Sequence, residues 1–393
     1  MIATGAGIVS NGLTPAEIAS SVLFGRDEEL GPLSRSADLG AVTALEQPLI
    51  RALHRSPCLI GFSGGRDSSA LLAIATRAAR REGLPDPVPV TVRYPELPET
   101  HEDEWQQLVI RHLGLSEWVQ RQFAEEADLV GPIAATLMHE HGLQYPYNLH
   151  LLKPMIDEAR GGSFVTGLGG DEAFTPRSRA LAVVTGSVRP VPRDVLRIGA
   201  AVAPSRVSKA VLARRRPMLT FPWFRPEANR ALGMAWLEDW VRLPLRWDAR
   251  LREWRRSRYV QMAIRGIEKI SVEPRVQVVH PFADPVFVSA LAREGGLRGY
   301  PSRTAAMDAL FGDVLPESIR RRRTKASFDG VLWNRHSRSF VNELEEDVLQ
   351  RALRLLRVDA IVDRSALAAH WAAPSPMANS FLLLQACWLA VRG

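Results

Sequence analysis

Cys58-Leu59-Ile60-Gly61-Phe62-Ser63-Gly64-Gly65-Arg66-Asp67-Ser68-Ser69 is the stretch on which the reading of this chain turns. Its first five residues form a short apolar run fit for a buried strand. Behind it Leu71, Ile74, Ala75 and Ala78 recur at helical spacing, with Gly83 as the stop. The Ser/Gly segment therefore joins a strand to a helix. Glycines there let the backbone turn tightly and bring its N–H groups against a phosphate. The helix N-terminus adds the positive end of its dipole, and Ser63, Ser68 and Ser69 add hydroxyl donors. Asp67 repels a bare phosphate, so its place in the loop implies a bridging Mg2+. The Gly-Lys-Ser/Thr ending of a Walker A loop is missing. The bland alternative is a Ser/Gly turn with a generic helix cap, and the strand–helix context favours the phosphate reading.

Working outward, Val88–Tyr94, Trp118–Phe123, Ser163–Gly167 and Val276–Val279 read as further strands. Helices are expected over Thr14–Gly25 (a capping box of Thr14 and Glu17, with Pro15 at the first position), Val42–His54, from Thr100 to a stop at Gly114, and over Leu149–Arg160. Strands alternating with helices argue for an α/β fold with a parallel sheet of about five strands, covered on both faces. Beyond about Pro176 the pattern turns helical. The expected organisation is an N-terminal helical extension over 1–55 and one large unit over 56–393. Within that unit the α/β core spans about 56–176 and a mostly helical layer spans 177–393.

The 393 residues are 46% hydrophobic and 24% charged, an ordinary globular composition that excludes a wholly disordered chain. Two cysteines, Cys58 and Cys387, exclude a disulfide scaffold and read as core residues. No apolar run approaches a membrane span and no signal peptide is visible, so the expectation is a cytoplasmic protein away from membranes. The net charge is +7, with only four lysines (Lys153, Lys209, Lys269, Lys325) among the basic residues. Charge alone is weak support for nucleic-acid binding, and it suits steering of an anionic substrate equally well.

Two later motifs bear on the chemistry. Val165-Thr166-Gly167-Leu168-Gly169-Gly170-Asp171-Glu172-Ala173-Phe174 places glycines and carboxylates at the C-terminal end of the fourth strand, where ligands bind in open parallel sheets. His280-Pro281-Phe282-Ala283-Asp284 follows the last strand. Leu315-Pro316-Glu317 then precedes Arg320-Arg321-Arg322-Arg323-Thr324-Lys325-Ala326-Ser327-Phe328. For Arg320 and Arg321 the favoured reading is a solvated basic patch.

The first motif is very similar to the signature loop of the PP-loop ATP pyrophosphatases. The three motifs in order resemble the synthetase domain of asparagine synthetases, β-lactam synthetases and lasso-peptide cyclases, over roughly Val42 to Trp388. The resemblance implies a fold of the adenine-nucleotide α-hydrolase type. It also implies ATP cleavage between the α and β phosphates and activation of a carboxylate as an adenylate, with ATP and Mg2+ as cofactors. Carried over residue by residue, it implies nucleotide binding by Ser63, Gly64, Gly65, Asp67, Ser68, Ser69, Gly167 and Gly169. Asp67 and Asp171 are the implied metal ligands, and Lys325, Arg323 and Glu172 the implied catalytic groups. Lys325 takes the place of the family lysine that contacts the adenylate and the tetrahedral intermediate, a role suited to a fixed cation.

The sequence departs from the family in three places. Relatives with a glutaminase domain carry Cys directly after the initiator Met; here residue 2 is Ile2, and about 55 residues before the loop are too few for that domain. Intrinsic glutamine hydrolysis is therefore not expected, and the nucleophile is free ammonia or a substrate amine. Leu168 stands where asparagine synthetases have Glu and β-lactam synthetases have Tyr, and Leu takes no proton. His280, His101 and Glu172 are unranked substitutes, unless the amine arrives neutral. Arg66 replaces an apolar residue and either reaches substrate or is exposed. The expectation is an ATP-dependent, AMP- and pyrophosphate-forming ligase. It would join a carboxylate and an amine on a small molecule or peptide, in specialised-metabolite or modified-peptide biosynthesis. A precursor peptide or a biosynthetic partner protein is a further expected partner. The competing readings are ammonia-dependent aspartate amidation, a tRNA-modifying PP-loop enzyme, and a non-catalytic nucleotide-binding partner.

Overall fold

The computed structural model describes residues 11–27, 29–31, 33, 38–176, 178–184, 186, 188–192, 194–195, 198–199, 203, 219–324 and 326–392. Its centre is a five-stranded parallel sheet in the order β3-β2-β1-β4-β5. The strands are β1 (Cys58–Gly61), β2 (Val88–Arg93), β3 (Val119–Gln122), β4 (Ser163–Val165) and β5 (Gln277–Val279). Leu59 sits opposite Val88 on one side and Phe164 on the other, and Phe164 opposite Val278. The chain thus runs from β1 outward to β3 and returns to β4 on β1's other flank. That reversal makes the C-terminal ends of β1 and β4 a topological switch point, where a parallel sheet opens a crevice for ligand.

Each face of the sheet is sealed by apolar helices. On one face Ala41–Leu53 and Arg66–Glu82 bury Leu45, Leu49, Leu71, Ile74 and Ala78 against Ile60 and Val165. On the other, Ile156, Ile267 and Ile270 pack on Leu59, Val90 and Phe164. The edge strand β3 carries Arg121, which pairs with Glu158 and discourages edge-to-edge pairing. A separate apolar cluster forms the helical layer. It gathers Phe221, Trp223, Trp333, Phe340 and the last helix, Phe381–Arg392, together with Ile18 and Leu23 from the chain's beginning. Asp128 staples this layer to the sheet domain. Its buried carboxylate accepts from the backbone N–H groups of Asn334 and Ser337 at 2.8 and 3.1 Å.

Several boundaries differ from those the sequence suggested. The first helix keeps its capping box but ends at Ser20, because Ser21 adopts a left-handed conformation and returns its N–H to Glu17. The segment expected as one helix over Leu149–Arg160 is a 3-10 turn, Leu149–Leu151, followed by Lys153–Glu158, whose second residue is Pro154. The helix expected from Thr100 begins at Asp103, behind a 3-10 turn at Pro98–Thr100. A helix at Pro132–His141 was not anticipated. Among the described residues no helix is long and apolar enough to cross a membrane.

Candidate active site

The loop after β1 and the loop after β4 open onto one cleft of about 530 Å3 at the switch point. Its polar wall includes Ser63, Gly65, Arg66, Asp67, Ser68, Thr166, Gly167 and Asp171, and its apolar floor includes Leu151, Leu152, Met155 and Phe164. Arg303, Arg322, Arg323 and Thr324 close the remaining side.

The phosphate loop owes its shape to two local devices. Gly64 takes φ +78°, and a Cβ there would lie 2.8 Å from Gln106 Cγ, so glycine is required. Gln106 in turn donates from Nε2 to the Ser63 carbonyl at 3.3 Å. The hydroxyls of Ser63 and Ser68 lie 3.2 Å apart, and the Gly65 N–H donates to Ser63 Oγ at 3.4 Å. Gly65 then caps the Arg66–Glu82 helix with extended backbone. Hydroxyls and the helix start face the cleft together, which is the electrostatics an anionic ligand needs.

Asp67 and Asp171, from motifs far apart in sequence, converge on one guanidinium. Arg303 pairs with Asp67 and, through Nη1, with Asp171 at 2.7 Å. Gly170 permits this approach: a Cβ there would come within 2.6 Å of Asp67 Oδ2. Burial pushes the Asp67 carboxyl above its usual range, against the pull of Arg303. Burial also works to lower the Arg303 pKa, but Asp67 and Asp171 outweigh it and hold the guanidinium charged. Burial, followed by the neighbouring Arg303 charge, lowers the Arg66 pKa. Arg66 lines the cleft and donates to Thr304 Oγ1 at 3.4 Å, so it is a wall residue.

The expected site residues divide by position. Ser63, Gly65, Asp67, Ser68, Gly167, Asp171 and Arg323 line the cleft, whereas Gly64, Ser69, Gly169 and Glu172 stand behind its wall. Gly169 is held at φ +96° with Trp254 against its Cα. Glu172 accepts from the Tyr259 hydroxyl at 3.2 Å, and burial raises its pKa. Lys325 lies outside the described residues; its neighbours Thr324 and Ala326 line the cleft.

Leu168 is half-buried and packs with the apolar cluster of Leu59 and Phe164. Of the substitute bases, His280 meets Thr166 Oγ1 through Nδ1 at 2.7 Å, and burial depresses its pKa to about 4. Thr166 stands between it and the cleft. His101 is exposed and lines no part of the cleft.

Two site residues escaped the sequence reading. Arg303 was not singled out. Arg322 was read only as one of a run of arginines, yet its side chain is 3% exposed, donates to the Gly64 carbonyl at 2.9 Å, pairs with Glu102 and stacks over Trp105 at 4.8 Å. Arg320 also departs from the solvated-patch reading, since it pairs with Asp308 and donates to the Leu315 carbonyl. Arg321 is exposed beside Glu317, as that reading has it.

A search of the curated proteins finds no match to the chain. A family model for asparagine synthase matches residues 47–389, a span that takes in both carboxylate-bearing loops, the Leu315–Phe328 segment and the whole sheet. The chain belongs to the asparagine synthase family, a class of ATP-dependent, amide-forming ligases.

Proposed function

We propose that the cleft binds ATP with Mg2+, joins a substrate carboxylate to its α-phosphate, and passes the resulting acyl group to an amine. The observation that carries this reading is the convergence of Asp67 and Asp171 on one cationic point beside the Ser63–Ser68 loop. The donor set suits Mg2+. That ion uses one or two carboxylates and takes its other oxygens from phosphate and water. Asp67 Oδ1 is buried with no hydrogen-bond partner among the described residues. Among those residues no group of three His, Cys, Asp or Glu side chains forms a closed metal cage. When bound, Mg2+ offsets the charge of the leaving pyrophosphate.

In the proposed reaction a carboxylate oxygen attacks the α-phosphorus, and the bond to the β-phosphate oxygen breaks. The amine nitrogen then attacks the acyl carbon, the bond to AMP breaks, and the amine's proton passes to solvent water. The loop over Ser63–Ser68 grips the β and γ phosphates. Arg323, on the cleft wall, and Lys325, by the family resemblance, offset charge on the departing AMP. The apolar floor of Leu151, Leu152, Met155 and Phe164 takes the non-phosphate part of the ligands.

The amine is the substrate's own or free ammonia, because this chain supplies no thiol to release ammonia from glutamine. Both of its cysteines are buried, and burial lifts the Cys58 thiol to about 11 and Cys387 further still. Leu168, which offers an acidic or phenolic base no place, favours a specialised amine on a small molecule or peptide over aspartate amidation. Pyrophosphate release from ATP is the test, run over a panel of carboxylates with wild type, Asp67→Asn and Lys325→Ala. Release that depends on one carboxylate and is lost in Asp67→Asn supports the ligase. Nucleotide binding with no release under any donor would refute it.

A further inference from the structure

Arg303 and Arg322 are both cleft arginines paired with carboxylates, but they are held differently. Every arm of Arg322 is engaged, by Gly64, Thr324 and Glu102, and its plane lies on Trp105. Arg303 spends one nitrogen on Asp67 and one on Asp171, and its Nε is buried with no hydrogen-bond partner among the described residues. Asp67 Oδ1, across the pair, is equally idle. The fork-to-fork pairing that a guanidinium and a carboxylate make when they form a structural bridge is therefore not used. Arg303 is thus shared between two carboxylates, and Asp171 remains largely exposed to solvent. Arg303 sits on the first residue of the Arg303–Phe311 helix, behind the Ser302 cap, so its side chain hangs from a fixed backbone at the cleft edge.

We propose that Arg303 is an exchangeable counter-ion: it occupies the Asp67–Asp171 pair in competition with the divalent cation, and when the cation arrives with nucleotide it turns its guanidinium onto the phosphates. The proposal rests on the ATP–Mg2+ reading of the cleft and deepens it by tying metal uptake to nucleotide uptake. Carboxylate oxygens are the preferred ligands of a hard divalent cation, whereas a guanidinium's five donors match phosphate as well as carboxylate. The exchange thus leaves both cations with suitable partners.

Direct binding of Mn2+, followed by the electron-spin signal of the free ion, tests this with and without α,β-methylene-ATP. Arg303→Met should bind Mn2+ alone at least roughly tenfold more tightly than wild type. That is a modest share of the Coulomb interaction between charges a few ångströms apart. The same variant should bind the analogue with Mn2+ at least roughly tenfold more weakly. Arg303→Lys, which keeps the charge and loses the fork, should resemble wild type with Mn2+ alone and the Met variant with the analogue. Unchanged or weaker Mn2+ binding by folded Arg303→Met would overturn the proposal while leaving the ATP reading intact, provided wild type takes up the analogue. Failure of wild type to take up the analogue would overturn both. Should Arg303→Met not fold, as judged by its melting curve, Arg303→Gln carries the same comparison.

Discussion

The Arg322 guanidinium donates to the Gly64 carbonyl oxygen at 2.9 Å, which ties the basic segment near the C-terminus to the first turn of the phosphate loop. The same side chain neutralises buried Glu102 and covers Trp105. Removing it strands a carboxylate in the interior, and breaking a buried pair in this way costs about 3–5 kcal/mol. Arg322→Ala should lose stability of that order in urea unfolding and should bind nucleotide more weakly, because Gly64 loses its outer anchor. Arg322→Lys should recover only part of either loss.

Two glycines of the second motif, Gly167 and Gly169, are not equivalent. Gly169 has φ +96°, and a Cβ there would come within 2.6 Å of Trp254, whereas a Cβ on Gly167 meets nothing within 4 Å. Gly169→Ala should destabilise the protein by about 1–3 kcal/mol, the scale of a strained backbone position. Gly167→Ala should leave the melting temperature unchanged. Paired thermal denaturation of the two variants checks the contrast.

His280 gives the protein a pH dependence of known sign. Burial depresses the imidazole pKa from 6.5 to about 4, so between these values the unfolded chain binds a proton that the folded chain does not. The stabilisation is complete above pH 6.5 and is lost as pH falls towards 4. The full shift corresponds to about 3 kcal/mol. Urea midpoints measured from pH 7 to pH 4 should fall more steeply for wild type than for His280→Gln.

The buried thiols lead to a further expectation. A thiol reagent applied at pH 8 should titrate neither Cys58 nor Cys387 until denaturant is added. An electrophilic glutamine analogue should leave amine-dependent activity untouched. Inactivation by the analogue would contradict the account of the nitrogen source.

The sheet and the phosphate loop were legible because their signals are local. An apolar run, a glycine turn and a helical repeat sit side by side from Cys58 to Ala78, and Gly83 closes the helix as its spacing suggested. Even the three-residue strands β4 and β5 were found, since both are short apolar runs next to motifs. The Pro132–His141 helix was not, because Gly131-Pro132 reads as a turn and its apolar face is weak. Arg303 was invisible for another reason. Nothing within its own helix marks it, and its role appears only when the fold brings Asp67 and Asp171 to it. Arg322 sits in a run of four arginines whose members look alike in sequence and differ in burial and partners: Arg321 is exposed, while Arg322 is sealed under the loop. Burial of one member of such a run is a tertiary property that spacing does not encode.

The central claim is that a carboxylate oxygen becomes bonded to the α-phosphorus of ATP. The most direct measurement uses the carboxylate donor found by the pyrophosphate screen, labelled with 18O in both carboxyl oxygens. After turnover with an amine, mass spectrometry of the nucleotide product should find one 18O in AMP, transferred when the amine displaces it. AMP free of label, with the amide still formed, would contradict the account.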